Sequence, residues 1–189
     1  MIIGLTGGSG TGKSTVVEFF IDKGYLLLDF DKISRDVCAP NTKCLKELTN
    51  HFGNDILNKD KTLNRKHLGN IVFKDKEKLK ELNNITHKYI LEEMLMFLSK
   101  NKDKNIIMDA PLLFEANIDK YCNKTIAILA TKEARIERIM KRDGLTRRQS
   151  ENRINSQPDD IFYINRANIV IANYSTIDVL YESLNKIFK

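Results

Sequence analysis

A chain of 189 residues has room for one α/β domain with insertions and not for two large domains. Its 42% hydrophobic and 30% charged residues are those of a soluble globular protein, and no apolar run approaches the roughly 18 residues of a membrane span. The net charge of +6 fits a nucleic acid or a small polyanion, but most lysines stand beside acids, as in Asp75-Lys76-Glu77-Lys78, which favours a plain solvated surface.

Met1 to Thr6 is a short apolar run that reads as a buried strand. It enters this strand with no signal peptide, so a cytoplasmic protein is expected. Gly7-Gly8-Ser9-Gly10-Thr11-Gly12-Lys13-Ser14 follows, a complete phosphate-binding loop in which Gly7 and Gly12 bracket four residues ahead of Lys-Ser. Glycines let backbone N–H groups turn around an anion, and the helix that begins at Lys13 aims its positive end at the same place. Val16, Val17, Phe19, Phe20 and Ile21 make that segment helical, and Gly24 closes it. A dinucleotide fingerprint fits less well, because Lys13 stands where its third glycine belongs.

Tyr25 to Asp29 is a second buried strand, leading into Asp29-Phe30-Asp31. Residues 32–104 then read as helical. Leu45, Leu48 and Phe52 share one face, residues 58–64 form a polar loop, and Leu79, Leu82, Ile85, Ile90, Leu91, Met94 and Leu98 mark a long helix. Asn105 to Asp109, Thr125 to Ala130 and Asn168 to Ala172 supply three more apolar strands. Continuous apolar strands alternating with helices predict an α/β fold with a five-stranded parallel sheet covered on both faces, the three-layer P-loop NTPase architecture. Ser175 with Asp178 predicts a capping box ahead of a last helix striped by Ile177, Leu180, Leu184 and Ile187. Cys38, Cys44 and Cys122 are odd in number and match no metal spacing. With His51, His67 and His87 scattered, reduced cysteines and no zinc site are expected.

Ligands of parallel sheets gather at the carboxyl ends of strands, where this sequence places the loop, Asp29, Asp31 and Asp109. That set predicts phosphoryl transfer from ATP with Mg²⁺. Gly8, Gly10, Thr11, Gly12, Lys13, Ser14 and Thr15 would hold the phosphates, and Lys13 would act on the β- and γ-phosphates. Ser14 and Asp109, the strand-end acid of a Walker B segment, would serve the metal. A carboxylate near the acceptor hydroxyl is needed as base, and by pattern alone Asp29 and Asp31 are interchangeable in that role, either one also able to cap the next helix. Arg135, Arg138 and Arg142 lie at i, i+3 and i+7, and with Lys141, Arg147, Arg148 and Arg153 give residues 135–153 a net charge of +4. With a phosphate loop in the same chain, this run predicts a lid whose arginines meet ATP phosphates and exclude water. No Asn-Lys-x-Asp string is present to read guanine, which disfavours a GTPase.

Taken together, these segments resemble the dephospho-CoA kinase family over nearly the whole chain. The resemblance is carried by Gly4-Leu5-Thr6-Gly7-Gly8 with Gly12-Lys13-Ser14-Thr15, by Asp29-Phe30-Asp31-Lys32-Ile33-Ser34-Arg35, and by Thr62 to Arg65 with Val72-Phe73. His87 with Ile90, the specific string Pro111-Leu112-Leu113-Phe114-Glu115, and Arg142-Asp143-Gly144-Leu145 with Arg153 and Gln157 complete it. It implies transfer of the γ-phosphoryl of ATP to the ribose 3′-hydroxyl of dephospho-CoA, the last step of coenzyme A synthesis. It also implies Asp31 as the base, Thr6, Asp31, Arg35, His87 and Leu112, Leu113, Phe114 and Glu115 in the acceptor site, and Arg138 and Arg142 on the lid. Asn173 would lie on the adenine side. The corresponding domains are a nucleotide core (1–31, 104–134 and 161–189), a helical acceptor domain (32–103) and a lid (135–160). The expected partner is dephospho-CoA, with no nucleic acid and no membrane, in a monomer or weak oligomer. Three departures from the family pattern stand out: Phe30 between the two acids, Asn64 ahead of Arg65, and a C-terminal strand, Ala167 to Asn173, that lacks the usual acids. Another small-molecule or nucleoside monophosphate kinase is the nearest alternative, and a non-catalytic nucleotide- or RNA-binding module the alternative of a different class.

Overall fold

The computed structural model describes residues 1–188. Five strands, β1 (Ile2–Thr6), β2 (Leu26–Asp29), β3 (Ile106–Asp109), β4 (Lys124–Leu129) and β5 (Ile169–Ala172), form one sheet in the order β2-β3-β1-β4-β5. The pairs β1–β3, β1–β4 and β4–β5 are parallel. Each lies within a residue or two of its expected segment, because a strand covered on both faces must be apolar along its whole length.

By internal contacts the chain divides into two compact units, residues 1–28 with 103–189, and residues 29–102. In the first unit, Ile3, Leu5, Ile107, Ile126, Ile128 and Ile171 alternate onto one face of the sheet. There they bury Val16, Val17, Phe19 and Phe20 of α1 (Lys13–Asp22) and Leu180 and Leu184 of α9 (Ile177–Ile187). Gly24 ends α1 in the left-handed region, with its N–H on Ile21 O at 2.8 Å. On the opposite face, Gly4 lies against Leu113 and Cys122. Helices α6 (Lys132–Asp143) and α7 (Arg147–Asn155) carry a small core of their own, Ile136, Ile139 and Ile154 with Leu145. Helix α8 (Asp160–Ile164) precedes β5.

The second unit is helical: α2 (Phe30–Asp36), α3 (Lys43–Phe52), α4 (Arg65–Val72) and the 25-residue α5 (Lys76–Lys100). Val37, Cys38, Cys44, Leu48, Ile56, Leu68 and Val72 form its core, against which Leu79, Leu82, Ile85 and Ile90 of α5 pack. The expected loop at 58–64 is closed by an isolated Leu57–Leu63 bridge. Asn64, the departure ahead of Arg65, caps α4 by accepting from His67 N at 2.9 Å, a task an Asp would perform equally. All three cysteines are free, with Cys38 and Cys44 sulfurs 3.8 Å apart.

One local expectation fails. The last helix is not capped by Ser175: Thr176 is the N-cap and makes no side-chain cap hydrogen bond. Two buried positions, Leu180 and Leu184, hold α9 without it, while the stripe's ends, Ile177 and Ile187, are exposed. Conversely, an unforeseen capping box starts α7, where Thr146 Oγ1 accepts from Gln149 N and Gln149 Oε1 from Thr146 N.

Candidate active site

Strand β1 is central, with the connection leaving it running to β2 on one side and that leaving β4 running to β5 on the other. The carboxyl ends of such strands frame a ligand crevice, and the glycine loop begins there, directly after Thr6. Gly10 (φ 79°) and Gly12 (φ 94°) sit in backbone conformations that side chains disfavour. Thr11 is buried and braces the turn, its Oγ1 donating to Gly8 O at 2.9 Å and its N–H to the same carbonyl at 3.3 Å. Helix α1 starts at Lys13 with no side-chain cap. The N–H groups of Gly10, Gly12, Lys13 and Ser14 have no protein acceptor among the described residues. Unspent donors on a helix N-terminus, with glycines that let them converge, fit a polyphosphate.

Lys13 Nζ donates to the carboxylate of Asp109, the last residue of β3. The pair is mostly shielded, with side chains 17% and 21% exposed, so salt screens it less than a surface ion pair. Ser14 is exposed on the first turn of α1, and Thr15 is half-buried beside it. Hydroxyl and carboxylate oxygens are the hard donors Mg²⁺ prefers, so Ser14 and Asp109 fit that ion chemically.

Four side chains brace the loop from outside. Asn173 is buried just past β5, and its Nδ2 donates to Thr11 O at 2.8 Å. Arg138 Nη1 donates to Gly10 O at 3.2 Å and Thr11 O at 3.3 Å. Arg135 and Gln157 hold Ser9: Arg135 Nε donates to Ser9 O at 2.9 Å, and Gln157 Oε1 accepts from Ser9 N at 2.8 Å. By sequence Arg135 is one charge in a run. Here it is 6% exposed, and burial pushes its guanidinium below the ordinary arginine range. Its only distinguishing sequence signal is its place one turn ahead of Arg138.

Arg142 lies farther along α6 and pairs with Asp143, whose carboxylate also accepts from Arg153 Nη1 at 2.7 Å. The hydrogen bond from Arg142 first, and the Arg153 charge beside it, hold Asp143 below the usual carboxylate range. Arg147 spans α7 and α6 through a two-pronged bond to Glu133, 2.6 and 2.7 Å, which lowers the Glu133 carboxyl. The two helices are therefore pinned by charge as well as by their small core.

Thr6 is fully buried, with Oγ1 on Pro111 O at 3.2 Å, and ties the end of β1 to the segment after β3. Within that segment Leu113 and Phe114 are interior, while Leu112, 56% exposed, and Glu115 face solvent. Leu112 and Glu115 are therefore the pair able to touch a ligand.

In the helical unit Asp29 is the N-cap of α2, its Oδ1 accepting from Lys32 N at 2.9 Å. Asp31, in the first turn, is exposed and has no side-chain hydrogen bond or ion pair among the described residues. Geometry thus separates two acids that the sequence left equivalent: one is spent on the cap. Arg35 is exposed in the last turn of α2, and His87 lies on an exposed position of α5.

A parallel sheet whose central strand runs into a glycine loop, with a lysine–aspartate pair at the next strand's end, defines a P-loop phosphotransferase. The chain belongs to the dephospho-CoA kinase family: a profile described as dephospho-CoA kinase matches residues 1–178. A dephospho-CoA kinase of Fusobacterium nucleatum is 40% identical over 186 residues, covering 98% of this chain and 96% of the relative. Another from Lactobacillus johnsonii is 40% identical over 190 residues, covering 99% and 96%. Among solved structures, a dephospho-CoA kinase from Campylobacter jejuni matches with TM-score 0.72 and 30% identity, over 98% of this chain and 94% of that one.

Proposed function

We propose that this chain catalyses transfer of the γ-phosphoryl group of ATP to the ribose 3′-hydroxyl of dephospho-CoA, giving coenzyme A and ADP in the last step of coenzyme A biosynthesis. The observation that carries the reading is family membership over 178 residues in a chain whose loop keeps the donors a polyphosphate needs. Gly8, Gly10, Thr11, Gly12, Lys13, Ser14 and Thr15 bind the nucleotide phosphates, and Lys13 follows the charge that develops as the β–γ bond breaks. Ser14 and Asp109 would hold Mg²⁺, which would supply charge neutralisation to the transferring phosphoryl group.

Asp31 accepts the proton of the 3′-hydroxyl as the new O–P bond forms. Its role is supported by its carboxylate being left unspent while Asp29 caps α2. Arg35, His87, Leu112 and Glu115 line the acceptor site, and the buried Thr6, Leu113 and Phe114 act as its packing. Arg138 and Arg142 stabilise the transferring group, and Asn173 lies on the adenine side. Residues 32–103 serve as the acceptor domain, 135–160 as the lid and the remainder as the nucleotide core. The protein works in the cytoplasm as a monomer or weak oligomer, without nucleic acid. No helix among the described residues is long and apolar enough to cross a membrane.

An acceptor panel tests the assignment. ADP should form in the presence of Mg²⁺ and dephospho-CoA, and not with nucleoside monophosphates or shikimate. Equal turnover of a plain nucleotide would make this another small-molecule kinase.

A further inference from the structure

Both polar groups of the Ser9 backbone are consumed from outside the loop. Ser9 N–H donates to Gln157 Oε1 at 2.8 Å, Ser9 O accepts from Arg135 Nε at 2.9 Å, and Arg135 Nη2 closes the ring by donating to the same Gln157 oxygen at 3.0 Å. The loop is shaped around this residue, its guanidinium at Gly8 and its backbone at Gly10. A Cβ at Gly8 would meet Arg135 Cζ at 2.9 Å and Gln157 Oε1 at 3.1 Å, and one at Gly10 would meet the Arg135 carbonyl at 2.7 Å. Arg135 is buried and has no carboxylate within ion-pair distance among the described residues. A buried charge without a paired counter-ion is costly, and here its hydrogen bonds go to neutral oxygens while Asp160 acts on it only from beyond ion-pair distance.

We propose that Arg135, oriented by Gln157, is a positioning residue for the nucleotide phosphates. The peptide between Ser9 and Gly10 is trans, so its carbonyl and its N–H point in opposite directions. Anchoring Ser9 O on Arg135 turns the Gly10 N–H, which has no protein acceptor, to the side away from the guanidinium. Arg138 anchors the carbonyls of Gly10 and Thr11 in the same way; of the N–H groups that follow them, that of Thr11 is spent on Gly8 O and that of Gly12 is left open. The charge of Arg135 behind the loop, offset only in part by the more distant Asp160, further favours a bound polyanion. Gln157 follows α7 and Arg135 belongs to α6, so the loop's donors are set by both of those helices at once.

The inference rests on the nucleotide half of the proposed function, and its test needs no acceptor. ADP binding is measured by calorimetry for the full chain and for Arg135→Gln, Arg135→Lys, Gln157→Leu and the Arg135→Gln/Gln157→Leu double variant, alongside KM for ATP and for dephospho-CoA. Hydrogen bonds made by a charged donor are worth roughly tenfold to a hundredfold in affinity, so ADP affinity and KM for ATP should worsen in that range in Arg135→Gln. The acceptor KM should stay within about twofold, and Arg135→Lys should recover part of the loss by restoring charge and one donor. The double variant should fall short of the summed single effects, because both side chains hold the backbone of Ser9 and bond each other. Lower melting temperatures with wild-type ADP affinity would overturn the proposal, as would equal effects on both substrates. Were Arg135→Gln not to fold, Gln157→Leu carries the same comparison. A wild-type chain that binds ADP yet leaves dephospho-CoA unphosphorylated would overturn the proposed acceptor and not this inference.

Discussion

Replacing Gly4 by alanine adds one methyl group at the tightest point of the sheet. The new Cβ would lie 2.6 Å from Cys122 Sγ, and 2.9 and 3.1 Å from the two methyls of Leu113. Strand β1 cannot step aside, because Gly4 is in register with Met108 of β3 and Thr125 of β4, on both edges. Leu113 is itself fully buried, so the strain must be shared among side chains already in contact. Overpacking of this kind costs about 1–3 kcal/mol, which for a chain of this size lowers Tm by about 2–4 °C per kcal/mol. Cys122→Ala removes the nearest clashing atom. The double variant Gly4→Ala/Cys122→Ala should therefore lose less stability than the two single changes added, with about 0.5–2 kcal/mol of coupling. Rescue is partial, since the Leu113 contacts remain. Thermal unfolding followed by circular dichroism measures all four proteins. Because Leu113 adjoins Leu112 and Glu115, the single variant should also raise KM for dephospho-CoA more than KM for ATP. A strictly additive cycle, or an unchanged Tm in Gly4→Ala, would refute the packing argument.

Asp31→Asn should lower kcat by about 10²–10⁴ while ATP binds as before, since only the proton acceptor is lost; unchanged kcat would remove Asp31 as base. Asp29→Asn should keep most activity, because an Asn caps a helix as well as an Asp. Asp143 and Glu133 both have carboxyl groups held below their ordinary range, so their contribution to stability is complete above about pH 5 and is lost as pH falls through the lowered values. Tm of the Asp143→Asn/Glu133→Gln pair should accordingly depend less on pH in the acid range than that of the parent chain. Identical acid profiles would show that the charges pinning α6 to α7 are idle.

Much of this was legible in the residues. Buried parallel strands are apolar throughout, and a phosphate loop has a spacing that little else produces, so the five strands and Gly7 to Ser14 could be read directly. The long α5 shows a helical period because one face packs on its unit's core. Contacts that depend on distant neighbours were not legible. Arg135 looks like Arg138 and Arg142 in a charged helix, and nothing local says that it alone is interior, lying against Ser9, 126 positions away. Asp29 and Asp31 differ only in which backbone N–H lies within reach. Leu112 to Glu115 reads as one motif, yet the turn splits it into two interior and two exposed residues. At the last helix, Ser175 and Thr176 are equally good cap residues by composition, and neither side chain bonds the helix end.

Phosphorus NMR of the reaction product tests the central claim most directly. Incubated with ATP, Mg²⁺ and dephospho-CoA, the chain should form one new phosphomonoester, coupled to the ribose 3′ proton, for each ADP released. ADP without that resonance, or a phosphate on any other oxygen of the acceptor, would contradict the assignment.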